Sequence, residues 1–190
     1  MPHRICNLIV IGASTGGTRI LPRIISQLPR LQAAVLVIQH MPEYITPSFV
    51  RTLAQQAHMP VHIAAARGRL AQGQIFVAPG GWHCELQKNA EFSLNDGPRV
   101  NYVRPSIDVT MRSVALTPKA RKLCGVILTG MGSDGAAGLL HLKRLGAFTF
   151  AQNENSSAVF SMPKMAIATG CVDHVLDPDA IADQLARLFV

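Results

Sequence analysis

Asn7-Leu8-Ile9-Val10-Ile11-Gly12-Ala13-Ser14-Thr15-Gly16-Gly17-Thr18 is the stretch on which the fold turns. Its first half is apolar and rich in β-branched residues, the composition of a buried strand. The strand stops at Gly12, and small residues lead into a segment with helical periodicity. Ser14 therefore sits at a strand-to-helix turn, with backbone N–H groups around its hydroxyl. A serine in that place can contact a phosphate, cap the helix or act as a nucleophile.

Outward from this turn, strand and helix alternate. Strands are expected at 8–13, 34–39, 61–65, 74–78, 124–129 and 148–152, with a short one at 172–176. Helices are expected at 18–27, 47–58, 106–116, 134–145, 163–169 and 178–188, several opening on Pro or a capping residue. Ala34-Val35-Leu36-Val37-Ile38 and Val126-Ile127-Leu128 are apolar without alternation. Strands of that kind are buried on both faces, so the predicted fold is α/β: a doubly wound, mostly parallel sheet with helices on both sides. Residues 74–78, Cys84–Leu86 and 91–94 around Lys88-Asn89 read as a small antiparallel β-hairpin patch.

The 190 residues fit one domain, with 48% hydrophobic and 15% charged residues. No apolar run reaches the roughly 20 residues of a membrane span. The apolar stretch after Arg4 is too short for a secretory signal and flows into the glycine turn, so a cytoplasmic protein without membrane insertion is expected. Cys6, Cys84, Cys124 and Cys171 are scattered without a C-x-x-C pair, which points to buried thiols and no zinc site. The net charge of +7 calls for an acidic partner. Dispersed basic residues and ten aromatics speak against nucleic acid and leave an acidic protein surface.

Three polar residues follow three predicted strands: Ser14, His40 after Val35–Gln39, and Asp134 in the turn Gly130-Met131-Gly132-Ser133-Asp134-Gly135. In open α/β sheets, sites lie outside the carboxyl ends of the strands. Parallel strands would bring a hydroxyl, an imidazole and a carboxylate to one edge, the components of a hydrolytic triad. The N–H of Thr15 is the first oxyanion donor to consider. A second could come from the Gly130–Gly132 turn, which makes Met131 and Gly132 candidates. Met41 and Met131 are expected to pack the floor of the site.

Other candidates have plainer readings. His58 and His62 are separated by Pro60, which breaks the helix face a metal would need. His83, beside Gly80-Gly81, could line the crevice or make a structural hydrogen bond. Asp108 could compete with Asp134, but a place two residues after Ser106 suits capping.

The ordered motifs Gly12-Ala13-Ser14-Thr15-Gly16-Gly17, Gln39-His40-Met41-Pro42 and Ala78-Pro79-Gly80-Gly81 with His83 open a longer series. Arg104-Pro105-Ser106-Ile107-Asp108-Val109, Leu128–Ala136 and Ala151-Gln152-Asn153-Glu154 complete it. Together they resemble the catalytic domain of the chemotaxis protein-glutamate methylesterases, the CheB family, over nearly the entire chain. The resemblance implies one catalytic domain over residues 1–190 that hydrolyses glutamate γ-methyl esters of chemoreceptors, often with glutamine deamidation. It implies a triad at Ser14, His40 and Asp134, no metal and no organic cofactor.

Three departures accompany it. The family's usual receiver domain does not, so the expectation is an excised domain or a stand-alone esterase governed by a separate response-regulator partner. Ser161-Met162-Pro163 replaces the usual Gly-Met-Pro, which predicts a local loop change. Val103 stands before Arg104, where the family commonly has His or Cys, and bears on substrate contacts. Receptor methylation sites lie on Glu-rich helical bundles, and Arg19, Arg23, Arg67, Arg69 and Arg104 are candidates for steering them by nearness to motifs. Two other classes stay open. A nucleotide- or phosphate-binding module would use the glycine turn, but that turn lacks the Lys-Ser/Thr of a P-loop and the G-x-G-x-x-G spacing. A catalytically inactive signalling scaffold would make the three triad residue types incidental.

Overall fold

The structure, a computed structural model, describes residues 7–115 and 122–190. Cys6, Arg4 and the predicted end of helix 106–116 lie outside the described residues. Among the described residues, seven strands form one sheet in the order β3-β4-β2-β1-β7-β8-β9, with every recorded pairing parallel. In chain order they are β1 (Asn7–Ala13), β2 (Ala33–Gln39), β3 (Val61–Ile63), β4 (Ile75–Val77), β7 (Leu123–Ile127), β8 (Phe148–Gln152) and β9 (His174–Leu176). Between β4 and β7 the chain makes a separate antiparallel hairpin, β5 (His83–Leu86) with β6 (Phe92–Asn95), in which Leu86 faces Phe92.

One expectation needs correction. Residues 74–78 do not belong with the antiparallel patch: β4 is a parallel member of the main sheet, between β3 and β2. Ile75, Phe76 and Val77 are all buried, the pattern of an interior strand covered on both sides.

Alternation along β1 supplies both faces of the sheet. Ile9 and Ile11 join Val35, Val37 and Phe150 in a core covered by α1 (Gly17–Gln27), α2 (Thr46–Gln56) and α6 (Pro178–Phe189). Leu8 and Val10 join Leu36 and Ile38 in a second core, covered by α3 (Ile107–Ser113), α4 (Ala136–Arg144), α5 (Ser161–Ala168) and the hairpin. The two layers of helices over one parallel sheet are the doubly wound arrangement expected.

Helix starts follow local chemistry. Asp177 caps α6 by accepting the Ala180 N–H at 2.9 Å, and Pro178 opens it. The start of α1 is different. Gly16 adopts φ +88°, which favours glycine, and makes no side-chain cap bond. The Ser14 hydroxyl is thus not spent on capping the helix that follows it.

Strand β1 lies at the centre, and the chain winds first to one side of it, through β2 out to β3 and back to β4 between them, then to the other through β7, β8 and β9. Open sheets of this type bind ligands at such a reversal, outside the carboxyl ends of the strands. Phe150 on β8, 1% exposed, plugs the core beneath α6. Replacing it by Ala should lower stability by about 3–5 kcal/mol in urea denaturation while leaving the secondary structure in place.

Candidate active site

Strand register sets the first two residues side by side. Ala13 pairs with Gln39, and the His40 N–H donates to the Ala13 carbonyl at 3.0 Å. Ser14 and His40 therefore leave neighbouring strands at the same level. On the other flank, the Ser14 N–H donates to the Thr129 carbonyl at 3.0 Å, tying the turn to the segment after β7. Gly130 follows directly, and a Cβ there would come within 2.7 Å of Ser14 Cβ. Only glycine lets this turn approach the serine so closely.

Gln39 fastens the pair. Its side chain is 1% exposed, and Nε2 donates to the Ser14 carbonyl at 2.9 Å and to the His40 carbonyl at 3.0 Å. One amide group thus fixes the backbone of both residues. Nothing in the sequence assigned this role to Gln39, although it stands in the Gln39-His40-Met41-Pro42 motif.

Asp134 completes the convergence. Its Oδ2 lies 2.9 Å from His40 Nε2, with both side chains nearly withdrawn from water. An ionised carboxylate accepts, so Nε2 carries the proton and the ring's other nitrogen, Nδ1, is left basic. That Nδ1 is buried and without a hydrogen-bond partner among the described residues. Ser14 Oγ is not bonded to it in this structure.

The carboxylate is held by more than histidine. Its Oδ1 accepts from Asn101 Nδ2 at 2.8 Å and Ser106 Oγ at 2.7 Å, and its Oδ2 accepts from the Ile107 N–H at 2.6 Å. Asp134 precedes α4 in the chain yet sits on the first turn of α3. Asp108, on α3, does the reverse: its Oδ1 accepts from the N–H groups of Gly135 and Gly138 at the start of α4, at 3.0 and 2.6 Å. The two helices exchange caps, and Asn101 Nδ2 bridges Asp134 to Asp108 Oδ2 at 2.9 Å. Asp108 is a cap, as its position implied, but for the neighbouring helix. Ser106 caps its own, accepting from the Val109 N–H.

The environments push the two acids apart. Burial alone would raise Asp134, but the hydrogen bonds from His40, Asn101, Ser106 and Ile107 outweigh it and hold the carboxyl below its ordinary range. Burial raises Asp108, as does the charge of Asp134, against the pull of the Gly138 N–H, Asn101 and Arg112. Asp134 is the acid whose surroundings favour the charged form.

The remaining candidates divide. The N–H groups of Thr15 and Met131 have no acceptor among the described residues, whereas that of Gly132 donates to Ser161 Oγ at 3.2 Å. Ser161 Oγ returns a bond to the Gly132 carbonyl at 2.9 Å, so this serine staples the turn to α5. Met131 does not pack the floor of the site: it is 76% exposed. Met41 does pack inward, against the core under α1 and α2. His83 is structural, with Nε2 bonded to the Pro98 carbonyl and Nδ1 accepting from the Ser106 N–H. His62 lies on β3 against Phe76, and His58 follows the end of α2, so they share no helix face. Cys84, Cys124 and Cys171 are buried free thiols, and burial pushes the Cys84 thiol up to about 12.

A groove of about 400 Å³ opens beside His40, lined by Met41, Glu43, Arg99, Tyr102, Val103 and Arg104 among others. Of the five arginines singled out in the sequence, only Arg104 reaches it. Arg23 pairs with Asp179 on α6 at 2.5 Å and Arg69 with Glu91 at 2.6 Å, both away from the groove, while Arg19 and Arg67 are exposed elsewhere.

The sign of the Asp134 shift makes a stability prediction. Its folded value lies below the unfolded reference of about 3.9, so its stabilisation is complete above that pH and is lost as pH falls through the folded value. Asp134→Asn should melt below the wild type at pH 7, and the two melting curves should converge as pH is lowered under about 4.

Known proteins share this architecture. Residues 9–185 match the family described as CheB methylesterase. A protein-glutamate methylesterase/protein-glutamine glutaminase of Pectobacterium atrosepticum is 47% identical over 181 residues, covering 94% of this chain and 51% of its own length. A protein of the same description from Syntrophus aciditrophicus, distinguished by the suffix 2, is 42% identical over 184 residues, covering 95% and 53%. The chain thus spans about half the length of these curated relatives. The crystal structure of the Thermotoga maritima CheB methylesterase catalytic domain superposes with a TM-score of 0.90 at 36% identity, covering 96% of this chain and 98% of that one. Matched along nearly its whole length in sequence and in fold, the chain belongs to the CheB methylesterase family.

Proposed function

We propose that residues 1–190 act as a cytoplasmic methylesterase domain that hydrolyses glutamate γ-methyl esters on chemoreceptor-like proteins through Ser14, His40 and Asp134. The observation that carries it is the imidazole: bonded to a buried carboxylate through Nε2 and basic at a buried, unpartnered Nδ1, one residue beyond the strand pair that presents Ser14. Relatives described as protein-glutamate methylesterases support it.

In this mechanism Ser14 Oγ attacks the ester carbonyl carbon as its proton passes to His40 Nδ1. Asp134 stabilises the imidazolium and keeps the ring oriented. The oxyanion is received by the free N–H groups of Thr15 and Met131. His40 then gives its proton to the departing methoxide, methanol leaves, and an acyl-serine remains. Water, activated by the same nitrogen, releases the glutamate carboxylate and restores the hydroxyl. A serine–histidine bond that forms only with substrate is common in this chemistry. Deamidation of glutamine follows the same steps with ammonia as leaving group.

The phosphate-cradle alternative fares worse. Gly16 and Gly17 open α1, but Gln39 Oε1 lies 2.1 Å from where a Gly17 Cβ would be, and His40 occupies the end of β2 where a ribose-binding acid would stand. Calorimetry with ATP or NAD should register no binding.

Ser14→Ala should lower methanol release from a methylated receptor helix by at least about 10³-fold with an unchanged melting curve. Retention of most of the activity would remove Ser14 from the mechanism.

A further inference from the structure

The groove beside His40 is cationic. Arg99 is exposed and has neither an ion-pair partner nor a side-chain hydrogen bond among the described residues. Arg104 is anchored through Nη1 to the backbone carbonyls of Asp96 and Gly97, the latter at 2.8 Å, and its buried Nε has no partner. Backbone carbonyls carry no full charge, so this guanidinium is not neutralised. Glu43, the carboxylate among the lining residues, accepts from Trp82 Nε1 at 3.3 Å. The loop that carries both arginines also carries Asn101, bonded to Asp134 at 2.8 Å, which holds the groove wall in a fixed relation to the catalytic acid.

Two guanidinium groups against the single carboxylate of Glu43 disfavour a cationic substrate and attract an anionic one. The product of ester hydrolysis is itself a carboxylate, but it forms at Ser14. A second acceptor in the groove must come from elsewhere on the same substrate.

We infer that Arg99 and Arg104 form a carboxylate subsite, which reads an acidic side chain neighbouring the methylated glutamate. It rests on the proposed esterase activity and deepens it: selection falls on the residue beside the ester as well as on the ester. Guanidinium binds carboxylate through paired donors, which gives direction as well as charge. Tyr102, 92% exposed on the same loop, adds an aromatic edge for the substrate backbone to lie against.

The test uses the whole chain and helical peptides that carry one γ-methyl glutamate with Glu, Gln or Lys at the flanking positions. Wild-type protein should favour the Glu-flanked peptide in kcat/KM by about tenfold, with the preference shrinking as salt rises. Arg99→Glu should abolish that preference and improve the Lys-flanked peptide. Arg30→Glu, at the opposite edge of the sheet before β2, makes the same change in net charge and should leave the preference intact. Equal rates for the three peptides in the wild type, or a preference that survives Arg99→Glu, would overturn the subsite.

A binding measurement separates the two proposals. With norleucine in place of the methylated glutamate, the Glu-flanked peptide should still bind the wild type more tightly than the Gln-flanked one, and Arg99→Glu should equalise them. Unequal binding without methanol release from any ester would retain the subsite and reject the esterase. Methanol release with equal binding would do the opposite.

Discussion

Two carboxylates exchanged between helix N-termini hold the active edge of this protein together. Asp134 seals the start of α3 and Asp108 seals the start of α4, so neither helix satisfies its first amides alone. Buried N–H groups without acceptors are costly, and each acid removes that cost for the other's helix. Asp134 can then offer its second oxygen's remaining capacity to His40 without leaving its seat. Asp134 is therefore a structural acid as well as the partner of His40. Its charge is maintained by the hydrogen bonds from His40, Asn101, Ser106 and the Ile107 N–H against the effect of burial.

That double duty explains why the acid was legible from the sequence while its role in the fold was not. Strand ends can be read from apolar runs, and three polar residues after three such runs point to one edge once the strands are taken as parallel. Helix capping is ordinarily local, within three residues of the start. Here Asp108 and Asp134 lie 26 positions apart in the chain and cap across an interface, which no local pattern encodes. Gln39 escaped for a related reason. A buried glutamine at a strand end looks like any polar terminus until two carbonyls are seen to converge on its nitrogen. The placement of β4 failed on a different ground: three residues are too few for alternation to separate an interior parallel strand from part of a meander.

Charge was the least legible property. Nearness to motifs selected five arginines, and four of them lie elsewhere, two already paired with acids. Arg99 had no motif to mark it and yet lines the groove. The motif residues concentrate where strands end, whereas Arg99 lies on the loop between the hairpin and α3. Val103, where the resemblance anticipated a histidine or cysteine, lies in that same groove wall.

The position of β1 at the middle of seven strands has a consequence for how the molecule can change over time. Strands β1 and β2, which carry Ser14 and His40 at their ends, are paired on both sides and buried on both faces, so the positions of the two residues are as stable as the centre of the sheet. The groove wall at Arg99–Arg104 lies outside the sheet altogether. Within that wall Asn101 is tied to Asp134, whereas Arg99 makes no such bond, so a lineage can exchange Arg99 without disturbing the seat of the acid, while Asn101 is not free to change.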